Sequence, residues 1–150
     1  MYSKSSDVIL WRATYLFYQY DYSQALSLLE SYEVCFSSNS SCSLNPLVSS
    51  EHYVYLCSIY LLMEKRVELY ELSCHLSEQY FPLSLSTSSA PSSQCSLYAL
   101  SCYYTLIQDY VKARMYVRKC ILKDYSFPFA WLLLARICHL QVLSLLSLHS

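Results

Sequence analysis

Asp21-Tyr22-Ser23-Gln24-Ala25 recurs 88 residues later as Asp109-Tyr110-Val111-Lys112-Ala113. Each string follows an apolar, tyrosine-rich stretch. An aspartate at the head of a helical run accepts hydrogen bonds from the free amides of the first turn. The alanine then sits one turn inside the new helix. Each string therefore reads as a tight link between two helices. The composition supports an all-α chain. It contains no glycine, which two-residue β-hairpins want at positive φ. The same lack excludes a Walker A loop and a dinucleotide fingerprint, whose glycines let backbone approach phosphate.

Working outward from the two strings, small residues recur where paired helices would cross: Ala13, Cys57, Ser101 and Ala135. The intervals are 44, 44 and 34 residues. Two serine-rich stretches, residues 36–50 and 83–93, account for the longer intervals and read as loops, with Pro46 and Pro91 inside them. Four units follow, over about residues 8–35, 51–80, 94–123 and 128–150, the last incomplete. The first pairs Val8 to Tyr20 with Tyr22 to Cys35. The second pairs Glu51 to Met63 with Lys65 to Tyr80. The third pairs Gln94 to Gln108 with Tyr110 to Lys123. The fourth opens at Pro128, whose missing amide suits a first turn, runs to Leu140, and has no convincing second helix.

The spacing in the last third resembles the TPR repeat, a helix pair of about 34 residues. From Leu97 as the fourth position, Leu100, Ser101 and Tyr104 fall at the seventh, eighth and eleventh. Ala113, Val117 and Cys120 fall at the twentieth, twenty-fourth and twenty-seventh. Trp131, Leu134 and Ala135 restart the pattern one period later. The resemblance implies a TPR-like solenoid of antiparallel helix pairs, about three and a half repeats long. Ala13, Ala25, Cys57, Leu69, Ser101, Tyr104, Ala113, Trp131 and Ala135 would pack the repeats. The second unit fits least, with Leu69 where alanine is usual and Arg66 where an aromatic is usual. Its Tyr53, Leu56, Cys57, Tyr60 and Leu76 still form a helical stripe, with Glu64, Glu68 and Glu71 as a solvated face.

Chemistry is hard to find. The four histidines are scattered, and Cys74-His75 are adjacent on one predicted helix, where they point about 100° apart and cannot form a nucleophile–base pair. HExxH and GxSxG are both absent. None of the eight cysteines forms a CxxC pair, so no zinc site is expected, and they read as reduced, buried, small hydrophobes. The first eleven residues carry Lys4 and Asp7 and no long apolar core, so no signal peptide is expected. Net charge is −1, which calls for neither nucleic acid nor an acidic membrane surface. Lys112, Arg114, Arg118, Lys119 and Lys123 are half of the ten basic residues and read as the outer face of one helix, favoured toward its C-terminal end. The many tyrosines read as helix packing rather than a base-stacking surface. Phe129 to Leu148 is apolar enough to suggest a membrane span, but Arg136, His139 and Gln141 interrupt it, so a buried or partner-seeking helix is expected. Neither catalysis nor a cofactor is expected.

In the TPR family, set positions of the first helix line a concave groove. The positions that match here include Thr14, Phe17 and Tyr18, then Ser58, Leu61 and Leu62, then Tyr98, Cys102, Thr105 and Leu106, and finally Arg136. Such a trough suits an extended peptide or a partner helix. Leu97 to Tyr104, Tyr110 to Tyr116 and Phe129 to Leu133 are similar to the cell-division-cycle TPR subunits of the anaphase-promoting complex. The familiar glycine at the eighth position is Ser101 and Ala135 here, the serine-rich inserts are extra, and the match stops after Cys138. The resemblance implies a non-catalytic scaffold in a ubiquitin ligase acting in cell-cycle control, in the nucleus and cytoplasm. Its partners would be other TPR subunits and a small peptide-like subunit. A generic TPR adaptor or co-chaperone would want several Lys, Arg and Asn in the groove, where only Arg136 qualifies. An RNA-binding helical repeat would want its basic residues on the groove helices.

Overall fold

The computed structural model describes residues 3–37, 50–80 and 92–149, with side chains over 7–31, 51–77 and 94–149. The fold is all-α. The described helices are α1 (Ser3–Tyr18), α2 (Tyr22–Ser37), α3 (Ser50–Leu62), α4 (Arg66–Tyr80), α5 (Ser92–Leu106), α6 (Tyr110–Lys123) and α7 (Pro128–Leu148). No strand occurs among the described residues. Most of the two serine-rich stretches lies outside them. α2 runs on to Ser37, α3 begins at Ser50 and α5 at Ser92, so the helices enter both stretches at their edges.

The links after α1, α3 and α5 are built alike. Tyr20, Glu64 and Gln108 stand at φ 63°, 56° and 67°, each 44 residues from the next. In each link the following residue donates its amide across the turn: Asp21 to the Leu16 carbonyl at 3.0 Å, Lys65 to Tyr60 at 2.9 Å, Asp109 to Tyr104 at 3.0 Å. The left-handed residue itself donates to Phe17, Leu61 or Thr105. This is the Schellman arrangement, which satisfies the last carbonyls of a helix. The same residue then opens the next helix. The Asp21, Lys65 and Asp109 carbonyls accept from Ala25, Leu69 and Ala113. The carboxylates of Asp21 and Asp109 also accept from Gln24 and Lys112. One residue thus ends one helix and starts another, which keeps the link to three residues.

The chain divides into two compact units, residues 1–59 and 60–150. In the first, α1 packs on α2, and Ala13, Ala25, Leu26 and Leu29 are buried, as are Leu56, Cys57 and Ile59 of α3. In the second, α4 packs on α5, α5 on α6 and α6 on α7, with a smaller contact between α5 and α7. At the α5/α6 crossing both Ser101 and Ala113 are 0% exposed, and the Ser101 hydroxyl donates to the Ala113 carbonyl at 2.9 Å. One turn along, the Tyr104 and Tyr116 rings stack with centroids 5.4 Å apart. Leu69 and Leu76 are fully buried, each contributing roughly 1.5–3 kcal/mol.

Several sequence expectations need correction. Glu64 lies in the αL turn before α4, so it is not part of that helix's solvated face. α1 begins five residues before Val8, and α7 continues past Leu140 to Leu148. Trp131 and Ala135 do not pack: both are exposed, Trp131 at 46%, while Ala130, Leu133 and Ile137 form the buried edge of α7. The eighth-position face of a first helix is covered by the helix that follows it, and among the described residues none follows α7. The link before α7 is also different. Asp124 accepts from the Ser126 amide and hydroxyl at 2.9 and 2.6 Å. These bonds hold its carboxyl below the usual range. The Trp131 indole donates to the Tyr125 carbonyl at 2.9 Å.

Candidate functional site

The expected groove residues separate into two groups, one in each unit. In the first unit, Thr14, Phe17 and Tyr18 of α1 gather around Tyr55 of α3. The Phe17 and Tyr55 rings meet edge to face at 5.3 Å. Phe17 also touches Tyr18 and Tyr22. Burial, then a hydrogen bond with Tyr18, pushes the Tyr55 phenol up to about 12. The Thr14 hydroxyl donates to the Leu10 carbonyl at 2.8 Å. Tyr18 remains exposed and Thr14 and Phe17 are half-buried. Tyr55 was not among the expected groove residues. Further along α3, the Ser58 hydroxyl is buried and donates to Val54 at 2.7 Å within its own helix.

In the second unit, Leu61 is buried and Leu62 reaches the surface. Tyr98, Cys102 and Thr105 are buried too, at 3%, 0% and 4% exposure. They do not line an open trough, because the helices around α5 cover them, and Phe127 and Phe129 close over Tyr98. Tyr98 meets Phe127 at 5.5 Å and Phe129 at 6.4 Å, and Thr105 donates to the Ser101 carbonyl at 2.7 Å. Leu106 is half-buried. What stays open on this side is Leu132, Arg136 and His139 of α7. Phe127 is a packing residue that no helical periodicity marks, since it lies before its helix.

The side chains offer little reactivity. Burial pushes the Cys102 and Cys120 thiols up to about 12 and Cys95 up to about 11. A thiol held neutral is a poor nucleophile and a poor ligand. Cys57 is also buried, whereas Cys138 is exposed, contrary to the expectation of burial. Among the described residues no three His, Cys, Asp or Glu side chains gather as a metal ion would require. Three of the basic side chains of α6 lie over their own helix or its neighbours. Lys112 sits over the Tyr104 ring at 5.3 Å and Lys119 over Tyr116 at 5.6 Å, while Arg114 donates to Gln141 of α7 at 3.3 Å. α7 itself is 21 residues long with a mean hydropathy of 1.7, long and apolar enough to cross a membrane by those measures.

The arrangement is one of helix faces that either cover each other or lie open. No family model matches the chain, and neither the curated proteins nor the solved structures include a significant match.

Proposed function

We propose that this chain is a non-catalytic protein–protein interaction scaffold, a TPR-like solenoid of antiparallel helix pairs. The observation that carries the reading is the link repeated at Tyr20, Glu64 and Gln108, with the same hydrogen bonds each time. A chain that repeats one helix–turn–helix unit forms a stack in which each unit contacts its neighbours and presents long surfaces. Surfaces of that kind bind peptides and helices.

The sequence resemblance directs this reading to the anaphase-promoting complex. The chain would there join other TPR subunits and a small peptide-like subunit, in the nucleus and cytoplasm of dividing cells. The open residues Tyr18, Leu62 and Arg136 are the groove positions still available for such contacts. Affinity purification of the tagged chain from dividing cells, followed by mass spectrometry, tests the assignment. Subunits of that ligase should be recovered, and less of them with Arg136→Glu. Chaperones without ligase subunits would move the assignment to a generic TPR adaptor. RNA crosslinked to the chain would overturn the protein-scaffold reading.

A further inference from the structure

We propose that the exposed apolar stripe of α7 is a docking face for an acidic amphipathic helix supplied by another protein. The stripe is Trp131, Leu134, Ala135, Cys138, Val142 and Leu145. At 100° per residue these six positions share one side of the helix, opposite to or flanking the buried edge of Ala130, Leu133 and Ile137. Leu134 is half-buried and the other five are exposed. No charged or polar side chain interrupts the stripe. Arg136 and His139 lie on a different side of α7, with Leu132.

The internal repeat indicates what covers such a face. Trp131, Leu134, Ala135 and Cys138 stand 34 residues after Leu97, Leu100, Ser101 and Tyr104 of α5. On α5 that face receives α6, with Ala113 against Ser101. The face on α7 therefore has the form that accepts a helix with a small residue at the crossing, here opposite Ala135.

α7 does not fold back within its own length to provide that helix. The left-handed residue that turns α5 into α6 is Gln108. Its equivalent 34 residues on is Val142, which lies inside a continuous helix. A β-branched residue is a poor occupant of positive φ. α7 runs on to Leu148 and lengthens the stripe, so no described helix covers it.

Charge defines its chemistry. α6 and α7 contain Lys112, Arg114, Arg118, Lys119, Lys123 and Arg136, and neither helix contains a carboxylate. Arg114 is tied to Gln141, beside the stripe. A helix laid against the stripe passes Arg114, so acidic residues on its flank are favoured. The α7 of a second copy offers no carboxylate to these cations. A membrane is disfavoured because Arg136, near the middle of α7, would enter the hydrocarbon. Burying α7 in lipid would also draw in the cationic helix bonded to it.

This inference rests on the scaffold reading, and its test is separate. The probe is a synthetic peptide that keeps Ala113, Val117 and Ile121 of α6 at their spacing and carries glutamate at its five basic positions. It is titrated into the full chain by calorimetry. One-to-one binding is expected. It should weaken about tenfold or more with Cys138→Glu in the chain, which places a charge in the buried contact. Leu132→Glu, elsewhere on α7, should leave it unchanged, and circular dichroism controls for folding in both. The same peptide with its basic residues retained should bind more weakly at low salt. Absence of binding, or equal loss with both variants, overturns the proposal. So does transfer of Trp131 into phosphatidylcholine vesicles, or a dimer of the chain that Cys138→Glu dissociates. Peptide binding without any assembly recovered from cells would instead count against the scaffold reading alone.

Discussion

Gln108→Gly should stabilise the protein, although glycine inside a helical chain ordinarily does the opposite. Gln108 stands at φ 67° between α5 and α6. A residue with a Cβ is strained there by roughly 1–2 kcal/mol. Glycine relieves the strain but adds freedom to the unfolded chain, a loss of about 0.4–1 kcal/mol. The balance is a gain of about 0.5–1 kcal/mol. For a chain of 150 residues that raises Tm by roughly 1–4 °C. Gln108 is exposed and its side chain makes no contact that offsets this gain. Thermal melts followed at 222 nm, with urea titration, would measure it. Two controls set the sign. Lys119→Gly, on the exposed side of α6, should cost about 1 kcal/mol. Val142→Gly should also destabilise, because Val142 lies inside α7. If Gln108→Gly lowers Tm as Lys119→Gly does, the left-handed turn is absent and the repeated link fails as the basis of the fold. If Val142→Gly raises it, α7 turns at that point and the docking face has been misread.

Further outcomes follow from the same geometry. Ala113→Trp should lower stability by about 1–3 kcal/mol or more in urea titrations, because Ala113 is fully buried against Ser101; an unchanged midpoint would mean the crossing lies elsewhere. Lys65→Ser should add up to about 1 kcal/mol, since Lys65 opens α4 without a capping side chain and the serine hydroxyl supplies one, less the exposed 3.5 Å ion pair of Lys65 with Glu68 that is lost; no gain would place the start of α4 elsewhere. Cys138 should react with an alkylating reagent at neutral pH while Cys57, Cys95, Cys102 and Cys120 do not, as read by mass spectrometry; uniform labelling of the native protein would contradict their burial. The buried thiols also make stability fall in alkali. Above about 9 the unfolded chain loses the Cys102 proton while the folded one keeps it to about 12. The contribution is complete below pH 9 and lost as pH rises through that window, at up to about 1.4 kcal/mol per pH unit for this thiol. A urea midpoint that does not move between pH 8 and 10 would argue against its burial.

The sequence by itself determined the local rules. Asp21 and Asp109 declare helix starts because a short carboxylate is the right length to reach the first free amides. Ala13, Ala25, Cys57, Leu69, Ser101 and Ala113 are buried where the pattern put them. The absence of glycine pointed away from strands, and none occurs among the described residues. It concealed the turns, because Tyr20, Glu64 and Gln108 occupy left-handed positions that a reader assigns to glycine. A three-residue link that must both end and begin a helix forces that φ, whatever residue is present.

Only the tertiary structure decided which apolar faces are covered. Tyr98, Cys102 and Thr105 have the periodicity of a groove, yet all three are buried, Tyr98 beneath Phe127 and Phe129. Trp131 and Ala135 have the periodicity of a packed repeat, yet they lie open because α7 passes Val142 without turning. Periodicity assigns side chains to a side of one helix. Burial requires a second helix on that side, and its presence depends on where the chain folds back.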